Sequence, residues 1–223
     1  MPRESLVTAA ELDLAPAVAV VSAADPVMGE FIRRAGPYEE RAGYGDYFGS
    51  LARAIVFQQL AGRAAAAIHG RVVAAVGGRM TPEAILATTP ETLRAAGLSG
   101  AKTASLIDLA THVIDGTVPL EGLAALDDEE IIARLIEVRG VGRWTAEMFL
   151  MFELRRPDVW PVEDYGVRNG YSLIHSLPEI IKPHALREAG EPFRPFRSFV
   201  ALYCWHAVHI ARGQIVLPAA TEG

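Results

Sequence analysis

Between residues 138 and 146 the chain reads Val138-Arg139-Gly140-Val141-Gly142-Arg143-Trp144-Thr145-Ala146, two glycines around one apolar residue between an amphipathic stretch and a strongly apolar one. Glycine reaches backbone angles that other residues avoid, so the junction can reverse in a tight hairpin. The first amides of the following helix have no partners within it and carry the positive end of its dipole. The expected local fold is helix, hairpin, helix, with outward amides that cradle an anion such as a DNA phosphate. Taken alone, the two glycines fit a plain helix connection equally well.

The rest of the chain also reads helical. Asp25-Pro26 is an N-cap and first-turn proline for a helix running to Gly36. Apolar residues recur at helical spacing from Tyr47 to Val76, with a break at Gly62 and a stop at Gly77-Gly78. Thr81-Pro82-Glu83 and Thr89-Pro90-Glu91 open two short helices, and Ser99 to Gly116 forms another. Asp127-Asp128-Glu129-Glu130 starts the helix before the hairpin, its acids at the positive pole and Ile131, Ile132, Leu135 and Val138 as its buried stripe. Beyond it, helices are expected over 144–154, 164–177, 183–189 and 196–212, with a frayed tail from Pro218. No strand ladder is visible, so the fold class is all-α.

Composition excludes several functions. No run of 18 or more uncharged apolar residues exists to span a membrane. The start carries Glu4, Glu11 and Asp13 and lacks the basic-then-apolar order of a signal peptide. Cys204 is the single cysteine, so an internal disulfide, a four-cysteine zinc site and an iron–sulfur cluster are all ruled out. A cytoplasmic location is the default. The net charge of −6 argues against coating DNA by bulk electrostatics. Basic residues can still act locally: Arg139 and Arg143 bracket the hairpin, Arg168 follows Asp164, and Arg53, Arg63, Arg71 and Lys102 are candidates to line a groove.

Downstream of the hairpin stands Trp160-Pro161-Val162-Glu163-Asp164-Tyr165. On its own Asp164 has the context of a helix N-cap. Four ordered runs change that reading: Ile55-Val56-Phe57-Gln58-Gln59-Leu60, the hairpin, this run, and Arg194-Pro195-Phe196-Arg197-Ser198-Phe199 leading to Trp205. From about residue 47 to 206 they resemble the helix-hairpin-helix DNA glycosylase superfamily, in particular its DNA-3-methyladenine glycosylase II type.

The resemblance implies two helical lobes with a DNA cleft between them. An N-terminal extension with a first helix would occupy 1–45, the glycosylase core of two interleaved lobes 46–213, and a tail 214–223. It implies a monomeric enzyme, acting at the nucleoid of a bacterium, that flips alkylated bases such as 3-methyladenine out of double-stranded DNA and hydrolyses the N-glycosidic bond. Asp164 matches the catalytic aspartate. Trp144 and Trp205 match aromatic walls of the base pocket, with Met148 and Phe57 as further pocket candidates. Gln59 falls at or beside the residue that wedges into the duplex, flanked by Gln58 and Leu60; a buried helix turn is the alternative there. Arg139, Gly140, Val141, Gly142 and Arg143 match the phosphate clamp. The backbone carbonyls of Ile136, Val138 and Val141 match those that hold a monovalent cation, Na+ or K+, and no other cofactor is implied.

The departures carry information too. Relatives that also cut the strand place a lysine where Trp144 stands, and the only lysines here, Lys102 and Lys182, are expected to lie away from that motif. Without an amine nucleophile no Schiff base forms, so the abasic strand should stay intact, without AP lyase activity. Met148 occupies a position that is aromatic in the best-known enzyme of this type, which implies a roomier or less cation-selective pocket. Glu163 is expected to point elsewhere on the helix, as a capping or supporting residue. Mismatch or oxidised-purine excision by the same superfamily remains an alternative reading, as does a non-catalytic helix-hairpin-helix DNA-binding module.

Overall fold

A computed structural model describes residues 14–37, 46–60 and 62–215. Among them, the helices follow in the order α1 (Ala15–Ala24), α2 (Pro26–Ala35), α3 (Tyr47–Phe57), α4 (Gly62–Ala75), α5 (Pro82–Ala87), α6 (Pro90–Ala95), α7 (Gly100–Ile114), α8 (Asp128–Leu135), α9 (Arg143–Phe152), α10 (Tyr165–Ile174), α11 (Pro183–Gly190) and α12 (Arg197–Ala211). Short 3-10 turns cover Leu123–Ala125 and Glu191–Phe193. No strand occurs among the described residues, as the all-α reading requires.

Side-chain caps from Asp25, Asp46, Thr81, Thr89, Ser99 and Asp164 start six of these helices. The Asp25 carboxylate accepts the Val27 and Met28 amides at 3.0 Å each. Thr81 accepts the Ala84 amide and Thr89 the Thr92 amide, with Pro82 and Pro90 at the first helical positions. Each cap satisfies an amide the helix cannot, and each proline gives up none that was needed.

The chain divides into two compact units, Met1–Ala42 with Arg155–Gly223, and Gly43–Leu154. In the first unit α10 and α12 form the most extensive pairing, and α2 packs on α10. Gly170 makes the α10–α12 approach possible: a Cβ there would sit 1.8 Å from the Cys204 carbonyl oxygen. In the second unit α7 is central, contacted by α3, α5 and α6, while α8 and α9 pair across the hairpin.

Helix α1 departs from the sequence expectation. Its Ala- and Val-rich run offers no polar face to mark a period, yet Ala17 and Val21 are buried. A Cβ on Gly29 of α2 would lie 2.7 Å from the Ser22 Cβ, so the two helices touch closely. Helix α10 stops at Ile174, short of the expected Leu177, because Ser176 turns the chain at φ 51°. The expected fraying from Pro218 and the acidic start before residue 14 lie outside the described residues. No described helix is long and apolar enough to cross a membrane.

Candidate active site and DNA-contacting elements

In the first unit Asp164 is the N-cap of α10, and its Oδ1 accepts two hydrogen bonds, from the Val167 amide at 2.7 Å and from the Trp205 indole Nε1 at 2.9 Å. The cap role and the active-site role suggested by the sequence therefore coexist in one carboxylate. Gly166 lets the indole in, since a Cβ there would stand 2.7 Å from Trp205 Cδ1 and 3.0 Å from Asp164 Oδ1. Behind this pair Cys204 is fully buried, and burial, with the Asp164 charge, pushes its thiol pKa up, so it is an inert core residue.

The segment leading into Asp164 is fixed from below. Trp160 is buried, donates its indole N–H to the Leu186 carbonyl at 2.8 Å and meets the Phe193 ring edge-on. The Val159 amide donates to Ser198 Oγ at 2.8 Å, and Asp158 takes ion pairs from Arg197 at 2.7 Å and Arg194 at 2.6 Å. Burial alone would raise the Asp158 pKa, but the hydrogen bond and charge of Arg197, with Arg194, outweigh it and hold it below the usual value. Arg168 donates to the Ile181 carbonyl at 2.8 Å, inside this unit. Glu163 corrects an expectation: it is exposed and stands before α10 begins, and the cap is Asp164 itself. Tyr165, 60% exposed at the first position of α10, has no place among the sequence-predicted site residues, although its position beside Asp164 in the chain is the available signal.

The second unit holds the hairpin. Val141 is buried and donates its amide to the Val138 carbonyl at 3.0 Å, so the turn is plugged into the core. Gly140 takes φ 78° and sits where a Cβ would come within 2.7 Å of Ser105 Oγ. The Arg139 amide donates to Asp108 Oδ2 at 2.7 Å. Gly142 is the N-cap of α9 and, having no side chain, makes no side-chain cap to that helix. The two arginines differ. The Arg139 residue is exposed, whereas Arg143 pairs with Glu129 and, at 3.1 Å, with the buried Glu147, and the Glu129 hydrogen bond holds the Arg143 pKa above its usual value. Trp144 is 49% exposed in the first turn of α9, and Met148 is half-buried one turn later.

Gln58 ends α3 and donates its side-chain amide to the Gly140 carbonyl at 2.8 Å, joining the candidate wedge run to the hairpin. Gln59 and Leu60 lie in the exposed turn beyond α3, so the buried helix turn is excluded, and Gln59 adopts φ 55°. The Phe57 ring is covered at 3.5 Å by the Arg53 guanidinium and meets the His69 ring at 6.1 Å. Burial, then the Arg53 charge, pushes the His69 pKa down. Lys102 lies at the candidate wedge run: its ammonium donates to the Val56 carbonyl at 2.8 Å and the Gln58 carbonyl at 2.7 Å, and burial lowers its pKa. Arg71 donates to the Ala96 carbonyl at 2.9 Å. Of the four residues expected to line a basic groove, Arg53, Arg71 and Lys102 thus hold partners within the unit, while Arg63 is exposed.

A family model described as HhH-GPD superfamily base excision DNA repair protein matches residues 52–195. DNA-3-methyladenine glycosylase 1 of Schizosaccharomyces pombe is 35% identical over 178 residues, 78% of this chain and 74% of that protein. The crystal structure of a DNA-3-methyladenine glycosidase from Bacillus halodurans superposes with a TM-score of 0.83 at 34% identity, covering 89% of this chain and 92% of that one. The 3-methyladenine DNA glycosylase of Schizosaccharomyces pombe, solved in complex with abasic DNA, gives a TM-score of 0.75 at 36% identity, covering 85% and 95%.

Proposed function

The chain belongs to the HhH-GPD superfamily of base excision DNA repair proteins, and from that premise we propose that it is a DNA glycosylase. In this reading it flips alkylated bases, 3-methyladenine and related lesions, out of double-stranded DNA and hydrolyses their N-glycosidic bond, leaving the strand uncut. The observation that carries the reading is the Asp164 carboxylate, fixed at the head of α10 by the Val167 amide and the Trp205 indole. The cap needs only the Val167 amide; the bond from the Trp205 indole orients the same carboxylate further, as a catalytic group requires.

Breaking the glycosidic bond sends the bonding pair to the base and leaves positive charge on C1′ and the ring oxygen of the sugar. A pre-oriented carboxylate stabilises that charge without reorganising. Water then adds at C1′ and loses a proton, for which Asp164 is the available base. An alkylated purine is already cationic and leaves as a neutral molecule, so little acid assistance is needed. Indole faces suit such a base, attracting a cation by roughly 0.5 to 2 kcal/mol. Trp205, bonded to Asp164, is the indole of the first unit that we assign to this role; in the second unit Trp144 is the exposed indole, with Met148 one turn later. Phe57 fits it less well, because Arg53 covers its ring.

The second unit supplies the grip on DNA. We assign the first turn of α9, opened by Gly142, to receive a phosphate at the positive pole of that helix, and Arg139 adds an exposed residue of positive charge. Arg143, paired with two carboxylates, serves the hairpin's own structure. We assign Gln59 and Leu60, exposed in the turn beyond α3, to fill the space that an extruded base leaves. The carbonyls of Ile136, Val138 and Val141 are the neutral oxygens we propose for a monovalent cation, Na+ or K+: Ile136 is the C-cap of α8, at the negative pole of that helix, and the Val138 oxygen keeps a second lone pair beside its bond to Val141. Bound there, the ion would add positive charge to a turn that receives an anion. The enzyme is proposed to act as a monomer in the cytoplasm, at the nucleoid.

The test is base release from duplex DNA treated with a methylating agent. Free 3-methyladenine should appear with an uncut strand that breaks only after alkali. No base release, or prompt nicking, would contradict the proposal.

A further inference from the structure

Helix α7 carries Lys102, Ser105 and Asp108 three residues apart, a spacing that keeps them along one side of the helix. Each engages part of the DNA-contacting apparatus of the second unit. Lys102 holds the carbonyls of Val56 and Gln58 at the C-terminal end of α3, a positive charge on the negative pole of that helix. Ser105 Oγ occupies the space over Gly140 that a Cβ would need. Asp108 takes the Arg139 amide at 2.7 Å. The Gln58 amide closes the circuit by donating to the Gly140 carbonyl at 2.8 Å.

Within this frame Gln59 adopts φ 55°, a conformation that a residue with a side chain enters at a cost of about 1–2 kcal/mol. Such a conformation persists only where its surroundings over-determine it. The residue before it has its carbonyl bound by Lys102 and its side chain bound to the hairpin, so the turn has no slack on that side. Lys102 also borders, with Gln58, Gln59, Leu60, Ile68, Gly97 and Ser99, an open cavity of about 240 Å³ under the turn.

We infer that Lys102, Ser105 and Asp108 are positioning residues that lock the Gln59 turn to the glycine hairpin, so that a grip on the backbone phosphate and insertion into the base stack occur as one event. The inference rests on the glycosylase reading of the same residues. Its physical content is a division of labour: the stripe acts on extrusion of the base, not on bond cleavage. A lysine outside the catalytic groups thereby sets how well the enzyme opens an intact duplex.

The experiment compares two duplexes in single-turnover reactions with enzyme in excess, one with the alkylated base opposite its normal partner and one with it opposite an abasic analogue, where extrusion is cheap. Lys102→Met should slow release from the first by about tenfold or more, since extrusion costs a few kcal/mol. On the second it should stay within about twofold of the parent. Lys102→Arg, which keeps a cationic donor, should recover most of the loss. Equal losses on both duplexes, or no loss on the first, would overturn the inference. Should Lys102→Met fail to fold by circular dichroism, Asp108→Ala carries the same test from a partly exposed position and must show the same split. If the parent releases nothing from either duplex, the glycosylase reading has failed instead.

Discussion

Trp205 donates its indole N–H to Asp164 Oδ1 at 2.9 Å, so a ring expected to line the base pocket also orients the carboxylate expected to do the chemistry. The two are joined because α10 begins at Asp164 and crosses α12 at Gly166 and Gly170, where no side chain keeps the helices apart. Indole, carboxylate and helix start are one mechanical piece. A change to any of them is transmitted to the others.

Asp164→Asn tests the carboxylate with the least structural disturbance. Asparagine is as good an N-cap as aspartate, and its side-chain oxygen can still accept the Val167 and Trp205 donors. Thermal stability should therefore stay close to that of the parent, and DNA binding should survive. Base release should fall by several powers of ten, because the negative charge that stabilises the sugar is gone. Release of labelled 3-methyladenine measures it, and near-parental rates would remove Asp164 from the mechanism.

Two substitutions at Trp205 separate its two roles. Trp205→Phe keeps a ring face but loses the donor to Asp164, so it should slow excision of charged and neutral lesions alike, by about tenfold or more, the scale of a hydrogen bond to a charged group. Trp205→Ala should also lose cation stacking and penalise charged lesions more than neutral ones. Paired rates on 7-methylguanine and a neutral adduct decide the matter. Equal penalties from the alanine variant would show that stacking on the charge contributes nothing.

How far the sequence shows these features follows from the range of the interactions. Caps are legible because Asp25, Thr81 and Thr89 bond to amides two or three residues away. The hairpin is legible because Gly140 needs φ 78°, a demand that residue type announces. Helix α1 is not, since its apolar residues show no period and its burial depends on Gly29 admitting Ser22. Lys102 looks remote in the sequence because its partners, Val56 and Gln58, lie at the end of a different helix, and the commitment of Arg143 is hidden because Glu129 sits beyond the hairpin turn. Gly166 and Gly170 are visible only as letters, their meaning residing in Trp205 and Cys204.

Gly170→Ala should be among the most damaging single changes in the first unit. Its new Cβ would lie 1.8 Å from a backbone oxygen of Cys204, which cannot swing away as a side-chain end would. The helices must separate, at a cost of about 3 kcal/mol or more, the upper range for overpacked sites. Urea unfolding followed by circular dichroism measures this. A midpoint equal to the parent's would mean that the two helices do not approach as described.

Acid sensitivity should trace partly to Asp158. Its carboxyl is held below the ordinary value in the folded protein, so the stability it contributes is complete above the unfolded pKa of about 3.9 and disappears as pH falls through the lowered folded value. Asp158→Asn should therefore be less stable than the parent at neutral pH, with the gap closing as pH drops below about 4. Denaturant midpoints at neutral pH and at two acidic values on either side of that point provide the check, and a gap that widened on acidification would reverse the assigned sign.

The hairpin arginines should behave oppositely although they flank the same turn. Arg143 is bound to Glu129 and the buried Glu147, so Arg143→Ala removes an ion pair from a buried carboxylate and should appear mainly as lost stability. Arg139 is an exposed residue whose backbone, not its side chain, holds the turn through Asp108. Arg139→Ala should leave folding intact, weaken binding to any DNA sequence, and reduce the slope of log affinity against log salt by about 1, as expected when one fewer phosphate is neutralised. Titrations of an unmodified duplex at several salt concentrations give that slope. An unchanged slope in Arg139→Ala, or a shallower one in Arg143→Ala, would mean that the phosphate is held by a different residue.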